Sequence, residues 1–433
     1  MERPSADAPP KDGFEGKDKG KTPGLGAIFL VLFLDILGFS LVLPFLAAEA
    51  RDTFHTSEFT GTLLGAIYSL MQFLFVPVWG RVSDRVGRRP VLLWSVFATA
   101  LGMASLGGAL IFSTTVAWLF VARAASGIAT ANLGTASAYI ADVTKPEDRA
   151  RGMGVIGVAF GLGFIIGPAL GGALAGVRIL GRAGAVPCFI AASLSLVNLA
   201  WVFLRLRESL PPEKRGTKRR RLTPLDIAAA RDAFARPGIA LAVLVNFILI
   251  LSFTILDQTF RFFNEDMFHM TAFETGIVFT FIGVVAAFVQ GGLVRPLAKR
   301  FDESVLIKIG CVVQGGAFVV LALSPKIGLW CLYAGGALLA IGNGLTQPSV
   351  SAYVSKRADP TEQGNTLGTN QSAAALARTF GPALGGFVYV AAGPTWPYIV
   401  SAIGMGIAAM VALKLRPASA PADHQRNTST QTS

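Results

Sequence analysis

One carboxylate lies deep in the first apolar stretch of the chain. Asp35 sits about ten residues into the run 26–48, between Leu34 and Ile36, with no other acid at comparable depth in the first half. An ionised aspartate at mid-bilayer costs roughly 2.5–3.5 kcal/mol on insertion scales. An apolar surround makes ionisation costly, which suits a group that must take up and release a proton. The competing reading is an ion pair that fixes helix packing. Arg123 is the cation of the same half. It lies some seven residues into its apolar run, deep for a side chain that reaches out to the interface. Gly127, Ala131, Gly134 and Ala138 follow it at three- and four-residue steps, a small-residue face for close helix approach. In the second half the candidates are Asp257, four residues before Arg261, and Arg378, with Gln371 two turns earlier on the same face. For Asp257 an exposed helical ion pair with Arg261 competes with a proton role.

These groups are spaced along segments long enough to cross a bilayer. The 433 residues are 52% hydrophobic and 15% charged, with a mean hydropathy of +0.56. A soluble protein carries about 25% charged residues, so the composition is that of a polytopic membrane protein, all-α. Twelve spans of about 20 residues follow: 26–48, 59–79, 90–112, 116–140, 151–174, 186–205, 238–262, 272–294, 304–323, 328–354, 366–391 and 395–415.

An even number of spans puts both termini on one face. Of the 38 Lys and Arg, 30 fall on that face, 5 on the other and 3 within spans. That bias places the terminal face in the cytosol. It also explains the net charge of +12 without nucleic acid. On this face lies the most charged hairpin, Gly80-Arg-Val-Ser-Asp84-Arg85-Val-Gly87-Arg88-Arg89. The expected domains are a disordered cytosolic tail at 1–24, a six-helix bundle at 25–205, a basic linker at 206–237, a second bundle at 238–415 and a second tail at 416–433. Thr223-Pro224 within the linker predicts a short surface helix. Cys188, Cys311 and Cys331 lie in or beside spans without motif spacing, which supports neither a disulfide framework nor a metal site.

The two bundles are a duplication. A shift of 214 residues aligns 137–172 with 351–386 at 13 of 36 positions without a gap. Gly167-Pro168-Ala-Leu-Gly171-Gly172 then falls on Gly381-Pro382-Ala-Leu-Gly385-Gly386. Each copy holds six spans, so the repeats are parallel. With Gly163, the glycines give spans 5 and 11 small-residue faces, and each proline removes one backbone hydrogen bond. A paired hinge, on which the halves rock, and two well-packed helices both fit this pattern.

These residues resemble the major facilitator superfamily over nearly all of 26–415. Gly80-x-x-x-Asp84-Arg85-x-Gly87-Arg88-Arg89 is similar to the loop between helices 2 and 3 that marks it. Gly163-x-x-x-Gly167-Pro168-x-x-Gly171-Gly172 resembles a helix 5 motif found mainly in drug:proton antiporters. Arg123-Ala-Ala-Ser126-Gly127 resembles that group's helix 4 pattern, with Ser126 where glutamine is usual. Leu34-Asp35-Ile-Leu-Gly38-Phe-Ser-Leu-Val-Leu-Pro44 resembles helix 1 of the twelve-helix tetracycline efflux branch. That branch carries a helix 3 aspartate where this chain has Gly102, and a helix 8 histidine that this chain lacks.

The resemblance implies a fold of twelve transmembrane helices in two parallel six-helix repeats. It also implies a cavity lined by spans 1, 4, 7 and 10, whose polar residues include Arg123, Asn246, Asp257, Asn343 and Gln347, with Gln371 and Arg378 on span 11. Tyr68, Gln72, Phe75 and Trp79 make a helical stripe on span 2. Such a stripe is packing or an aromatic wall for a lipophilic cation or neutral compound. Asp84 would meet the N-terminus of helix 11 and Arg88 would pair with Asp142, latching the cytosolic side.

The expected function is proton-coupled efflux of small lipophilic compounds by a monomer in the inner membrane. It needs protons, a small-molecule substrate and lipid, and no cofactor, metal or nucleic acid. Uptake by a symporter or facilitator is the alternative, and a non-transporting sensor or scaffold a remote one. No Gly-x-x-x-x-Gly-Lys-Ser/Thr stretch is present, and no nucleophile, base and metal ligands cluster, so neither an ATP-driven pump nor an enzyme is expected.

Overall fold

A computed structural model describes residues 23–144, 149–216, 237–358 and 363–417. The expected tail at 1–24 and the tail from 416 lie almost wholly outside the described residues, as does the helix expected after Thr223. The described residues form α1 (Pro23–Phe54), α2 (Glu58–Val86), α3 (Arg88–Phe112), α4 (Ala117–Ala129), α5 (Leu133–Val143), α6 (Arg149–Ala175) and α7 (Ala185–Arg205) in the first half. The second half holds α8 (Pro237–Phe268), α9 (Ala272–Phe288), α10 (Val294–Arg300), α11 (Glu303–Ile327), α12 (Leu329–Arg357), α13 (Gln363–Ala392) and α14 (Trp396–Leu413).

Local chemistry starts and stops these helices. The Ser57 hydroxyl accepts from Thr60 N at 3.3 Å to open α2, and Thr271 and Glu274 form a reciprocal capping box on α9. Gly87 ends α2 and begins α3 at φ +110°, a backbone conformation that side chains disfavour. Among the described residues nine helices are long and apolar enough to cross a membrane, with Gly161–Ala175 a shorter apolar stretch.

Two expected spans are interrupted. Span 4 divides into α4 and α5 at Thr130–Asn132, and span 8 passes through a π-helical stretch, Val289–Leu293, before α10. Irregular backbone at membrane depth survives only where protein groups replace its lost hydrogen bonds. At the α4–α5 break they do. Trp79 Nε1 donates to Ile128 O at 2.7 Å and Gln72 Nε2 to Thr130 O at 3.3 Å, while Ser95 Oγ donates to Ala129 O.

The apolar cores follow the halves apart from Ala47 and Ala48 of α1, which pack into the core of the second. One centres on α8, α11, α12 and α14, and two lie within α1–α7. Large apolar side chains such as Trp94, Trp118, Phe203 and Trp330 are exposed on the perimeter, where lipid would cover them. The 214-residue repeat reappears as repeated contacts. Ser40 Oγ donates to Gly163 O at 2.8 Å in the first half, and Thr254 Oγ1 to Ala377 O at 3.5 Å in the second. Gly167 abuts Ser40 as Gly381 abuts Thr254. Between the halves, Gly172 packs on Gly276 of α9 and Gly386 on Thr62 of α2, again equivalent pairs.

The halves are joined from mid-bundle to the face opposite the termini. Gly283 meets Ile165, and Pro168 O and Gly172 meet Gly276. At that face Arg51 Nη2 of the first half pairs with Glu265 Oε2 of the second at 2.9 Å. Toward the terminal face, a Cβ built on Gly161, Gly291 or Gly292 would have nothing within 4 Å. The contacts of Arg51, Gly172 and Gly283 close the described bundle opposite the termini.

Candidate functional site

The break in span 4 positions the site. It releases Asn132 from regular helix, and the Asn132 amide donates to Asp35 Oδ2 at 2.9 Å. Asn198 of α7 donates to Asp35 Oδ1 at 3.4 Å and to Val31 O at 3.0 Å. Asp35 is thus buried between two neutral amides, and no described cation stands within ion-pair distance of it. This differs from the packing salt bridge considered from the sequence. A carboxyl held by neutral donors can exist with or without its proton, because no fixed charge compels one form.

Asn198 escaped sequence reasoning, which looked for charges and for polar residues on the expected cavity spans. A lone asparagine in the otherwise apolar run 186–205 was the available signal.

Arg123 is fully buried and does not pair with Asp35. Its guanidinium carbon lies 4.2 Å from the Tyr68 ring centroid and 5.9 Å from that of Phe39. Its Nε donates to Leu64 O at 3.3 Å, while Nη1 and Nη2 have no hydrogen-bond partner. The Phe39 and Tyr68 rings stack at 4.9 Å, and Tyr68 Oη is 2.6 Å from Thr130 Oγ1. Phe39 lies one turn after Asp35 on α1. An aromatic pair therefore links the acid's helix, the helix break and the buried arginine.

The stripe on α2 divides in consequence. Tyr68 belongs to this cluster, whereas the donors of Gln72 and Trp79 are spent on α4 carbonyls.

In the second half Asp257 is buried and accepts from Gln258 Nε2 at 2.8 Å. Arg261 pairs with Glu265 at 3.0 Å, so the Asp257–Arg261 pair weighed from the sequence does not form. Gln258 packs against Gly65 of α2, which brings the Asp257 pair to the boundary between halves. Asn246 donates to Asn370 Oδ1 at 3.0 Å, an internal α8–α13 contact. The side chains of Asn343, Gln347, Gln371 and Arg378 have no hydrogen-bond partner among the described residues. Arg378 lies within electrostatic range of Tyr68 of the first half.

Among the described residues the hairpin's ion pairs are made within the first half. Arg88 Nη1 is 2.6 Å from Asp84 Oδ1, and Arg88 Nε is 3.3 Å from Asp142 Oδ2. The described partner of Asp84 is Arg88, and the side chains at the start of α13 lie outside the described residues. Arg85 is exposed. A residue outside the motif completes the hairpin. The Glu208 carboxylate accepts from the backbone N–H groups of Arg88 and Arg89 at 2.9 and 3.3 Å, capping α3. A Cβ at Gly87 would strike that carboxylate, so the motif glycine gives Glu208 its place.

The model of the Major Facilitator Superfamily matches residues 28–332 and 296–432. The chain belongs to the major facilitator superfamily. It is a multi-pass membrane transporter rather than an enzyme, with twelve transmembrane helices in two parallel repeats. It is 33% identical to the class C tetracycline resistance protein of Escherichia coli, over 86% of this chain and 91% of the relative. It is 30% identical to the major facilitator superfamily domain-containing protein 10 of Bos taurus, over 91% and 93% of the two chains. The crystal structure of the human organic anion transporter MFSD10 (TETRAN) superposes with a TM-score of 0.70 at 26% identity, covering 90% of this chain and 99% of that one.

The tetracycline branch's helix 3 aspartate has no room here. A Cβ at Gly102 would collide with Ser126 Oγ on α4, whose hydroxyl is buried without a partner.

Proposed function

We propose that this superfamily member is a proton-coupled exporter, an antiporter that moves small lipophilic compounds out of the cytosol by alternating access. The observation that carries it is Asp35, buried at mid-span between the Asn132 and Asn198 amides with no cationic partner among the described residues. It can hold a proton from one side and surrender it to the other without breaking an ion pair. The distribution of Lys and Arg, 30 against 5, supports a cytosolic terminal face in the inner membrane, with both six-helix bundles entered and left from the cytosol. The hairpin, through Asp84, Arg88 and Asp142, and the paired glycine-proline elements, through Gly172 and Gly386, are the parts that remake their contacts when the halves rock. Nothing in this cycle calls for a cofactor or for more than one copy of the chain.

For the cargo, two intramembrane arginines carry more weight than the aromatic stripe. Arg123 and Arg378 have no carboxylate partner among the described residues, and Arg123 is wholly buried. An uncompensated buried cation is costly, so a lipophilic compound bearing an acidic group fits the cavity better than a cation. The structural likeness to MFSD10, an organic anion transporter, points the same way.

Inverted membrane vesicles carrying a pH-sensitive dye test both statements. Acidic lipophilic compounds are expected to dissipate the proton gradient with the wild-type chain, and Asp35→Asn to reduce that response by at least about tenfold. Proton-driven export that survives Asp35→Asn overturns the carrier role. A response to cations alone overturns the cargo class.

A further inference from the structure

A groove of about 840 Å³ runs down the outer surface of the first half between α3 and α7. It begins where α3 starts and α7 ends, at the terminal face. Its walls are apolar and include Trp94, Phe97, Leu196 and Phe203, exposed by 67, 44, 52 and 63%. Its upper end is basic. Arg89 and Arg215 line it there, and Arg205 and Arg207 are exposed on the adjoining end of α7.

The acid in this groove is already spoken for. Glu208 accepts from the N–H groups of Arg88, Arg89, Ser209 and Leu210, at 2.9, 3.3, 3.0 and 3.0 Å. Arg215 Nη2 stands 3.7 Å from the same carboxylate, and its other contacts are to the Leu210 carbonyl. Arg89 gives one Nη2 donor to Phe203 O at 2.7 Å, its Nε is buried, and Nη1 makes no hydrogen bond among the described residues.

We infer that this groove is a binding site for one anionic phospholipid of the leaflet on the terminal face. An acyl chain lies along Trp94, Phe97 and Phe203, and the phosphate takes the remaining donors of Arg89 and Arg215. Length, polarity and charge all agree with that occupant. The apolar part lies where hydrocarbon must be, the arginines lie at headgroup level, and four arginines against one hydrogen-bonded glutamate favour a net negative headgroup over a zwitterionic one. Basic pockets between transmembrane helices at that level are recognised lipid-headgroup sites. The site reaches the charged hairpin directly, because Arg89 belongs to the hairpin and Glu208 caps α3 beside it. The lipid would brace the element that holds Asp84 and Arg88.

Trp94 reports occupancy. The full chain is reconstituted with phosphatidylcholine in which a fraction of lipid is brominated in the acyl chain, as phosphatidylglycerol or as phosphatidylcholine. The Trp94→Phe chain supplies the fluorescence to subtract. Brominated phosphatidylglycerol is expected to quench Trp94 with a site preference of about fivefold or more over brominated phosphatidylcholine. Arg89→Gln with Arg215→Gln should bring the two lipids to parity. Arg215 lies after α7, outside the hairpin, so Arg215→Gln alone keeps the test open should the double variant fail to fold, and it should at least halve the preference. Equal quenching by the two lipids in the wild-type chain overturns the inference, as does a preference that Arg215→Gln leaves unchanged.

Discussion

Asp35 and Glu208 are both carboxylates held by hydrogen bonds, yet their settings ask different things of them. Asp35 has two amide partners and membrane around it, so its charge is optional. Glu208 has four backbone N–H partners at the membrane surface and serves as an anion at the positive end of α3. Replacing Glu208 by Ala orphans those donors and is expected to cost about 1–2 kcal/mol, read as a lower midpoint of thermal unfolding in detergent. Glu208→Gln should recover part of that loss, since an amide oxygen still accepts. At Gly102 the constraint is steric. Gly102→Ala drives a methyl into Ser126 and should cost about 1–3 kcal/mol in the same measurement, more than alanine costs at Gly108, where a Cβ meets nothing within 4 Å.

Single helices carry the next level of the mechanism, and the α4–α5 break is the clearest case. Its freed carbonyls are taken by Gln72, Trp79 and Ser95, so helices 2 and 3 offset the irregularity that lets Asn132 reach Asp35. Trp79→Phe removes the indole donor and leaves Ile128 O only long backbone contacts such as Ala131 N at 3.4 Å, which is expected to destabilise the fold by about 0.5–1.5 kcal/mol. It should also lower the transport rate, because Asn132 is then less firmly placed. The glycine-proline elements act in pairs. Gly172→Leu wedges α6 from α9, and Gly386→Leu wedges α13 from α2. Each should shift the chain toward opening on the face opposite the termini, seen as faster labelling of a cysteine placed in the cavity by an impermeant reagent added from that face. Equal labelling rates in wild type and both variants would show that these contacts do not set the balance of states.

In the molecule as a whole, the closure opposite the termini is centred on Arg51 and Glu265, which are equivalent positions under the 214-residue repeat. An ion pair between equivalent positions lies at the pseudo-twofold axis, where rocking of the halves separates it directly. Arg51 also stands 5.1 Å over the Phe262 ring and 3.7 Å from Glu58. Arg51→Gln is expected to shift the closed population by up to about fivefold, the range of a partly exposed pair, and Arg51→Lys, which keeps the charge, to shift it less. Spin labels on the two halves at that face would report both.

Span number and the duplication were legible in the sequence because a bilayer and a repeat each leave a local mark. A run of about 20 apolar residues must cross, arginines must stay outside, and a repeat keeps its motifs. Asp35 and Arg123 were legible as well, since a charge within an apolar run stands out. Their partners were not. Asn198 is 163 residues from Asp35 along the chain, and Arg123 faces aromatic rings rather than an acid. The interruption at Thr130–Asn132 left no proline or glycine to announce it, because its cost is met by side chains on other helices. Hydropathy is a property of each segment alone and so survives in the sequence. Hydrogen-bond partners across a bundle depend on which helices pack together, and the tertiary structure alone decides that.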